Sequence, residues 1–182
     1  MAAAPPRVPP IEPGDWTDET RAALEKWQPP LNFHKTMAHN PRTLANWIGF
    51  GQAILWDNLL SRRERELAIL RVAAQIRCDY EWGAHKRFTL AEGLASEAEV
   101  ARLASPIDPA EWSPFEAALI AATDDLLRDG GIGDTAWAGL AERFTPAHYI
   151  DLIYLVGEFV MVGMMMKSFR IELDEGFERL PG

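Results

Sequence analysis

The segment RCDYEWGAHKRF, residues 77–88, places three side chains capable of chemistry close together. Cys78, Glu81 and His85 are spaced by three and four positions, so in a helix they share one face. A thiol at a helix N-terminus is favoured as the thiolate, but an adjacent carboxylate opposes that ionisation. An imidazole one turn from a carboxylate can exchange a proton near neutral pH. The spacing therefore predicts a proton-transfer site in which Cys78 need not be reactive.

A fourth candidate, Glu66, precedes Cys78 by twelve positions. If two helices pack antiparallel across a short turn at 77–78, Glu66 comes within reach of His85, and the two form a proton-transfer pair. Three other interpretations stay open. Glu66 can serve only to complement the helix dipole, and Glu81 with His85 can be a surface pair. Their i, i+4 spacing also suits metal ligands, with Glu66 as a third.

The elements that must position these residues are predicted to be helical throughout. Ser61 and Glu64 form a capping box that opens the helix RRERELAILRVAAQI, and a second helix runs over about 79–92 and ends at Gly93. Only 170–177 has any strand character. The prediction is an all-α fold of about seven or eight helices. Further helix starts or spans are expected near 18–27, 40–57, 96, 113–129, 134 and 145.

Composition narrows the class of protein. A chain of 182 residues suits a proline-rich arm over 1–14 and one domain over 15–182. The net charge of -9 argues against nucleic acid and an anionic membrane as partners. A single cysteine excludes an internal disulfide and suits the cytoplasm, and no signal peptide is recognised. The apolar run 150–166, interrupted by Asp151 and Glu158, is expected to be a buried helix.

The spacing of Glu66, Cys78, position 81 and His85 resembles the signature E-x11-C-x2-C-x3-H of the alkylhydroperoxidase D and carboxymuconolactone decarboxylase superfamily. Similarity to the decarboxylase branch extends over roughly 30–177, through ELAILRVAA, YEWGAH and AEGL and the flanking HNP and SFRIELDEG. Glu81 stands where the peroxidase members have their second cysteine. One thiol cannot close their internal disulfide, so the resemblance favours the decarboxylase branch.

That resemblance implies cofactor-free decarboxylation of a small cyclic or aromatic-derived carboxylic acid or lactone, without a metal. His85 would be the acid and base, Glu66 its orienting partner, Glu81 a second carboxylate and Cys78 a residue lining the pocket. The superfamily also implies a homo-oligomer, a trimer or hexamer.

An apolar wall and a cationic anchor should complete such a site. We expect Trp82, Phe33 and Trp47 to form the wall, which would strengthen electrostatic interactions within it. Arg71, Arg77 or protonated His85 would hold the acidic substrate. His34 and His39 lie in a segment able to fold over the pocket.

Two alternative functions stay open. The first is a thiol peroxidase in which Cys78 alone forms a sulfenic acid that an outside thiol resolves. The second is a non-catalytic oligomer that binds a small molecule. Separately, Glu158 requires a partner from another helix or subunit if it is buried.

Overall fold

The computed structural model of the chain describes residues 5–25, 27 and 29–182. Those residues form nine α-helices and two 3-10 turns, at Pro13–Asp15 and Pro109–Glu111, and contain no β-strand. The predicted all-α class is confirmed. The helices are α1 (Asp18–Leu24), α2 (Asn32–Met37), α3 (Pro41–Trp56), α4 (Arg62–Gln75), α5 (Asp79–Ala91), α6 (Glu97–Leu103), α7 (Pro114–Asp129), α8 (Asp134–Leu140) and α9 (Pro146–Phe169).

The helix beyond the predicted seven or eight is α2. Its six residues follow Leu31, which has no oxygen or nitrogen in its side chain to cap the helix. The cap comes instead from within the helix, because His34 Nδ1 accepts a hydrogen bond from the Leu31 backbone N–H at 3.1 Å. A helix this short without a polar N-cap residue has little signature in the sequence.

Helix α4 is the centre of the fold and packs against α5, α6, α7 and α9. The predicted capping box is present: Ser61 accepts from the Glu64 backbone, and Glu64 accepts from the Ser61 backbone. All residues from Glu64 to Ala74 are buried. A tight turn then reverses the chain, with Arg77 at φ 54° and Cys78 as the N-cap of α5. This reversal places α5 beside α4 and sets Glu66 against His85.

Helix α9 is the longest helix described and closes one side of the core. By length and composition alone it could cross a membrane, but half of its most apolar window is buried within the protein. It packs on α3, α4, α5 and α7. One face of α9 is buried in the core, as the sequence predicted, whereas the other face is exposed and carries apolar side chains such as Ile153 and Met164.

Both terminal segments, as far as the structure describes them, pack against helices of the fold. The weak strand character of 170–177 does not become a strand: residues 171–182 are irregular and lie along α5, where Arg87 donates to the Glu175 carbonyl oxygen. A Cβ at Gly83 would come 2.7 Å from the Glu178 carbonyl oxygen, so the close approach requires glycine. In the proline-rich arm, the Arg7 and Ile11 backbone amides donate to Phe169 and Lys35 carbonyls. Residues 1–4 of that predicted arm lie outside the described residues.

Candidate active site

A cavity of about 100 Å³ lies between α2, α3, α5 and α9. Most of its lining is aromatic or aliphatic, and its polar groups are two carboxyls, two imidazoles and a phenol. The residues that line it are Trp27, Leu31, Phe33, His34, Trp47, Gly51, Leu55, Tyr80, Glu81, Ala84, His85, Glu158, Phe159, Val162 and Met166.

His85 and Glu66 form the predicted pair at this cavity. His85 Nδ1 lies 2.8 Å from Glu66 Oε2, and the Thr89 hydroxyl donates to the same oxygen at 3.1 Å. The Glu66 side chain is 4% exposed and the His85 side chain 18%. With Nδ1–H donated to the carboxylate, Nε2 is the ring nitrogen left for the cavity. The Phe159 ring meets the imidazole edge-to-face at 4.9 Å and holds its plane.

Glu81 projects from the first turn of α5 into the same cavity. It is 1% exposed, and neither carboxyl oxygen has a hydrogen-bond partner among the described residues. Burial, and then the nearby Glu158, raise the pKa of Glu81 well above its ordinary value. Both effects favour the neutral form of this carboxyl.

Glu158 on α9 is a site residue that sequence reasoning did not assign. Its Oε1 accepts a hydrogen bond from the Trp47 indole N–H, and its Oε2 has no partner within the described part of the chain. Burial raises the pKa of Glu158, whereas the bond from Trp47 favours its ionised form. The sequence did contain a signal for this residue, because Glu158 is an acidic residue within an apolar helix. The hydrogen-bond partner that its burial requires is Trp47 on α3.

His34 also lines the cavity and was not assigned a role beyond a segment able to cover it. Burial lowers the pKa of His34 to about 4, so its ring is neutral at pH 7. Because Nδ1 accepts the Leu31 N–H, the ring proton resides on Nε2. His39 is exposed and bonds to the Pro9 carbonyl, outside the cavity.

Cys78 does not line this cavity, contrary to the sequence prediction. It is buried as the N-cap of α5, with Sγ 3.9 Å from Met166 Sδ, and borders a separate surface depression. Burial is the main reason that the pKa of Cys78 is raised to about 12. The thiol form is thus favoured in spite of the helix N-terminus.

Of the four residues predicted to bind substrate, two line the cavity and two do not. Phe33 and Trp47 line it, in edge-to-face contact at 5.0 Å. Trp82 points to the other side of α5, into a second apolar cluster with Leu67 and Trp112. Arg71 faces α7, where it binds both oxygens of Asp124 at 2.7 and 2.8 Å.

The second predicted anchor, Arg77, is exposed beside Cys78 and also lies outside the cavity. Of the described residues that line the cavity, none is lysine or arginine. Across the described ranges, no three His, Cys, Asp or Glu side chains are arranged to bind a metal ion. The cavity therefore pairs an imidazole–carboxylate couple with carboxyl groups whose pKa values are raised, an arrangement suited to acid and base chemistry.

The chain was compared with protein families, curated sequences and solved structures. Residues 41–125, which include all four signature positions, match the carboxymuconolactone decarboxylase family. Among curated proteins, no sequence matches this chain. The fold resembles an alkylhydroperoxidase AhpD core, an uncharacterised peroxidase-related protein from Ralstonia eutropha JMP134, with a TM-score of 0.80 and 19% identity over 96% of this chain and 95% of that one.

Two further solved structures share the fold. A peroxidase-related protein from Silicibacter sp. TM1040 has a TM-score of 0.74 and 18% identity over 97% of each chain. A cysteine-to-alanine variant of the debrominase Bmp8, in complex with 2,3,4-tribromopyrrole, has a TM-score of 0.76 and 11% identity over 96% of this chain and 95% of that one. Residues 41–125 are thus similar to the carboxymuconolactone decarboxylase family, and the chain has the fold of the alkylhydroperoxidase AhpD core structure.

Proposed function

We propose that this protein is a cofactor-free proton-transfer enzyme that decarboxylates a small cyclic carboxylic acid or lactone acid. The observation that supports it is the contact of 2.8 Å between His85 Nδ1 and the buried Glu66, at the edge of a largely apolar cavity. A carboxylate in that position fixes the tautomer of the imidazole and stabilises its protonated form.

The chemistry needs no electron acceptor other than the substrate. The bond between the ring carbon and the carboxylate breaks, carbon dioxide leaves, and the electron pair moves into the conjugated carbonyl. Protonated His85 then delivers its Nε2 proton to the carbon that lost the carboxylate. Glu66 stabilises the imidazolium before this transfer, so its contribution is greatest when the positive charge is present.

The substrate's carboxylate requires a positive partner. With Arg71 bound to Asp124 and Arg77 outside the cavity, protonated His85 is the cation that we assign to this role. The aromatic walls from Phe33, Trp47 and Phe159 exclude water, which strengthens the interaction between the imidazolium and an anion.

Thiol chemistry at Cys78 has less support from its surroundings. A peroxidase cycle needs an accessible thiolate, whereas Cys78 is buried and its pKa is raised to about 12. We therefore assign Cys78 a packing role beside Met166.

We also propose that the protein assembles with copies of itself through α9, as the superfamily resemblance implies. Exposed apolar side chains recur along one face of this helix at spacings of three, four and seven residues. Such a stripe is typical of a helix that pairs with another helix. The residues are Ile150, Ile153, Tyr154, Met161 and Met164.

The proposed activity can be tested with a panel of unsaturated lactone carboxylic acids and a carbon dioxide readout. We expect release by the wild type that survives Cys78→Ser and is lost in His85→Ala. The matched control is His39→Ala, which removes an exposed imidazole and should retain activity. Consumption of peroxide that disappears in Cys78→Ser would instead support the thiol peroxidase. Tight binding of the panel without any release would support a non-catalytic binding oligomer.

A further inference from the structure

We propose that Glu81 is a neutral carboxylic acid that donates a hydrogen bond to the substrate oxygen on which negative charge develops, with Glu158 as a fixed anion beside it. This inference deepens the proposed function and rests on it. It assigns a role to the carboxyl group one helical turn from His85 on α5, and it adds α9 to the helices that supply catalytic groups.

The first support is the unsatisfied state of Glu81. Its two oxygens are buried and unpartnered within the described residues, yet the side chain lines the cavity. A buried carboxylate with no donor would be strongly destabilising, and buried polar groups are almost always paired. Protonation of Glu81 lowers the free-energy cost of burying it. The O–H group of the neutral acid then still needs a hydrogen-bond acceptor, which a ligand in the cavity would supply.

The second support is the asymmetry between the two carboxyls. Trp47 donates its indole N–H to Glu158, which favours the anion there, whereas no donor from the described ranges reaches Glu81. Burial is the main reason that the pKa of each group is raised, and only Glu158 has a compensating hydrogen bond. The proton of the pair is therefore assigned to Glu81. The two groups do not hydrogen-bond each other, so the Glu81 O–H is free to point into the cavity.

The third support is the absence of a side chain where α9 passes Glu81. A Cβ at Gly163 would lie 3.2 and 3.3 Å from the two Glu81 oxygens and would overlap Ile76 Cδ1. Glycine at this position leaves the carboxyl room within the helix interface. The other titratable groups that line the cavity are His34, Tyr80 and His85, and Cys78 lies beside Glu81 on the same turn.

In the proposed reaction, the electrons of the broken carbon–carbon bond reach the conjugated carbonyl oxygen. The Glu81 O–H donates to that oxygen as its charge grows, while His85 supplies the proton to carbon. A carboxylic acid kept neutral by an apolar site can serve as such a donor. The expected ligands are planar cyclic compounds that carry an oxygen anion or its precursor, and phenols are stable mimics of them.

Infrared difference spectroscopy can detect the neutral acid directly. The C=O stretch of a carboxylic acid lies above the bands of carboxylates and amides. We expect this band at neutral pH in the wild type and its loss in Glu81→Gln, which preserves the side-chain shape. Glu142→Gln, a change at an exposed glutamate, is the control and should retain the band. If the spectrum contains no acid band that depends on Glu81, the assignment is overturned.

Phenol binding tests the donor role without requiring turnover. We expect phenol to bind the wild type and shift the acid band to lower frequency, as a donated hydrogen bond requires. In Glu81→Leu the affinity should fall about tenfold, because the hydrogen bond that Glu81 donates to the phenol oxygen is lost. Glu158→Gln serves as a second variant at the same pair, and circular dichroism checks that each protein is folded.

Unchanged phenol affinity in Glu81→Leu would overturn the proposal. Because neither experiment uses substrate, a failure here leaves the Glu66–His85 activity test standing. Conversely, a lack of decarboxylation would leave the Glu81 acid band and the phenol complex measurable. The two proposals therefore fail separately.

Discussion

Replacing Glu81 with glutamine should change how the stability of the protein depends on pH. The pKa of Glu81 in the folded protein is raised above its ordinary value of 4.5, first by burial and then by Glu158. Folding therefore retains a proton that the unfolded chain releases. The associated stability is fully present below about pH 4.5 and is lost as pH rises toward the folded-state pKa. Glutamine does not titrate, so Glu81→Gln lacks this loss.

The size of the effect follows from linkage. One protonation difference changes the free energy of unfolding by about 1.4 kcal/mol per pH unit. Above about pH 4.5, the stability of Glu81→Gln relative to the wild type should rise at up to this slope. In a chain of this length, 1 kcal/mol corresponds to a change in melting temperature of roughly 2–4 °C. The melting temperatures should therefore diverge by roughly 3–6 °C per pH unit.

Urea unfolding of both proteins between about pH 5 and pH 7 measures this slope, which is more informative than the stability at one pH. The buried amide of glutamine adds a constant offset, whereas only titration of Glu81 adds a slope. Glu142→Gln is the surface control, and we expect its curve to run parallel to the wild type. Parallel curves for Glu81→Gln as well would refute the reasoning, because they would mean that Glu81 is ionised in the folded state.

Three other predictions concern the end of α9, its packing against Glu81 and its exposed apolar face. Arg170→Gly should raise stability by about 0.5–1 kcal/mol in thermal unfolding, because φ is 54° there; Arg170→Ala keeps the Cβ and should give no such gain. Gly163→Ala should displace the Glu81 carboxyl and slow turnover about tenfold, with a destabilisation under about 2 kcal/mol in urea; unchanged turnover would contradict the packing of α9. Met161→Lys should reduce the mass seen by light scattering, whereas Ala138→Lys on another exposed surface should not.

The sequence predicted those parts of the site that depend on local structure. The contact between Glu66 and His85 follows from a short reversal between two helices, and the sequence marks both helix ends through the Ser61 capping box and Gly93. Short-range spacing and capping chemistry are sufficient for such a pair. The all-α class follows for the same reason, since most helices have recognisable caps.

The substrate-contacting faces could not be predicted in the same way. Helix α4 is buried from Glu64 to Ala74, so its apolar pattern does not distinguish the face toward α5, which carries His85, from the face toward α7. Arg71 was consequently predicted at the cavity, although it binds Asp124 on the opposite side. The bond from Trp47 to Glu158 joins residues 111 positions apart, and only the tertiary packing of α3 on α9 brings them together.

The most direct test of the account is to follow the proton that replaces the lost carboxylate. Decarboxylation in D2O should place one deuterium on the ring carbon of the product, as seen by mass spectrometry. We predict that Glu66→Gln slows this incorporation, because it removes the charge that stabilises protonated His85 at 2.8 Å, and that His85→Gln abolishes it. Deuterium incorporation in His85→Gln at the rate of the wild type would contradict the central claim that this imidazole transfers the proton.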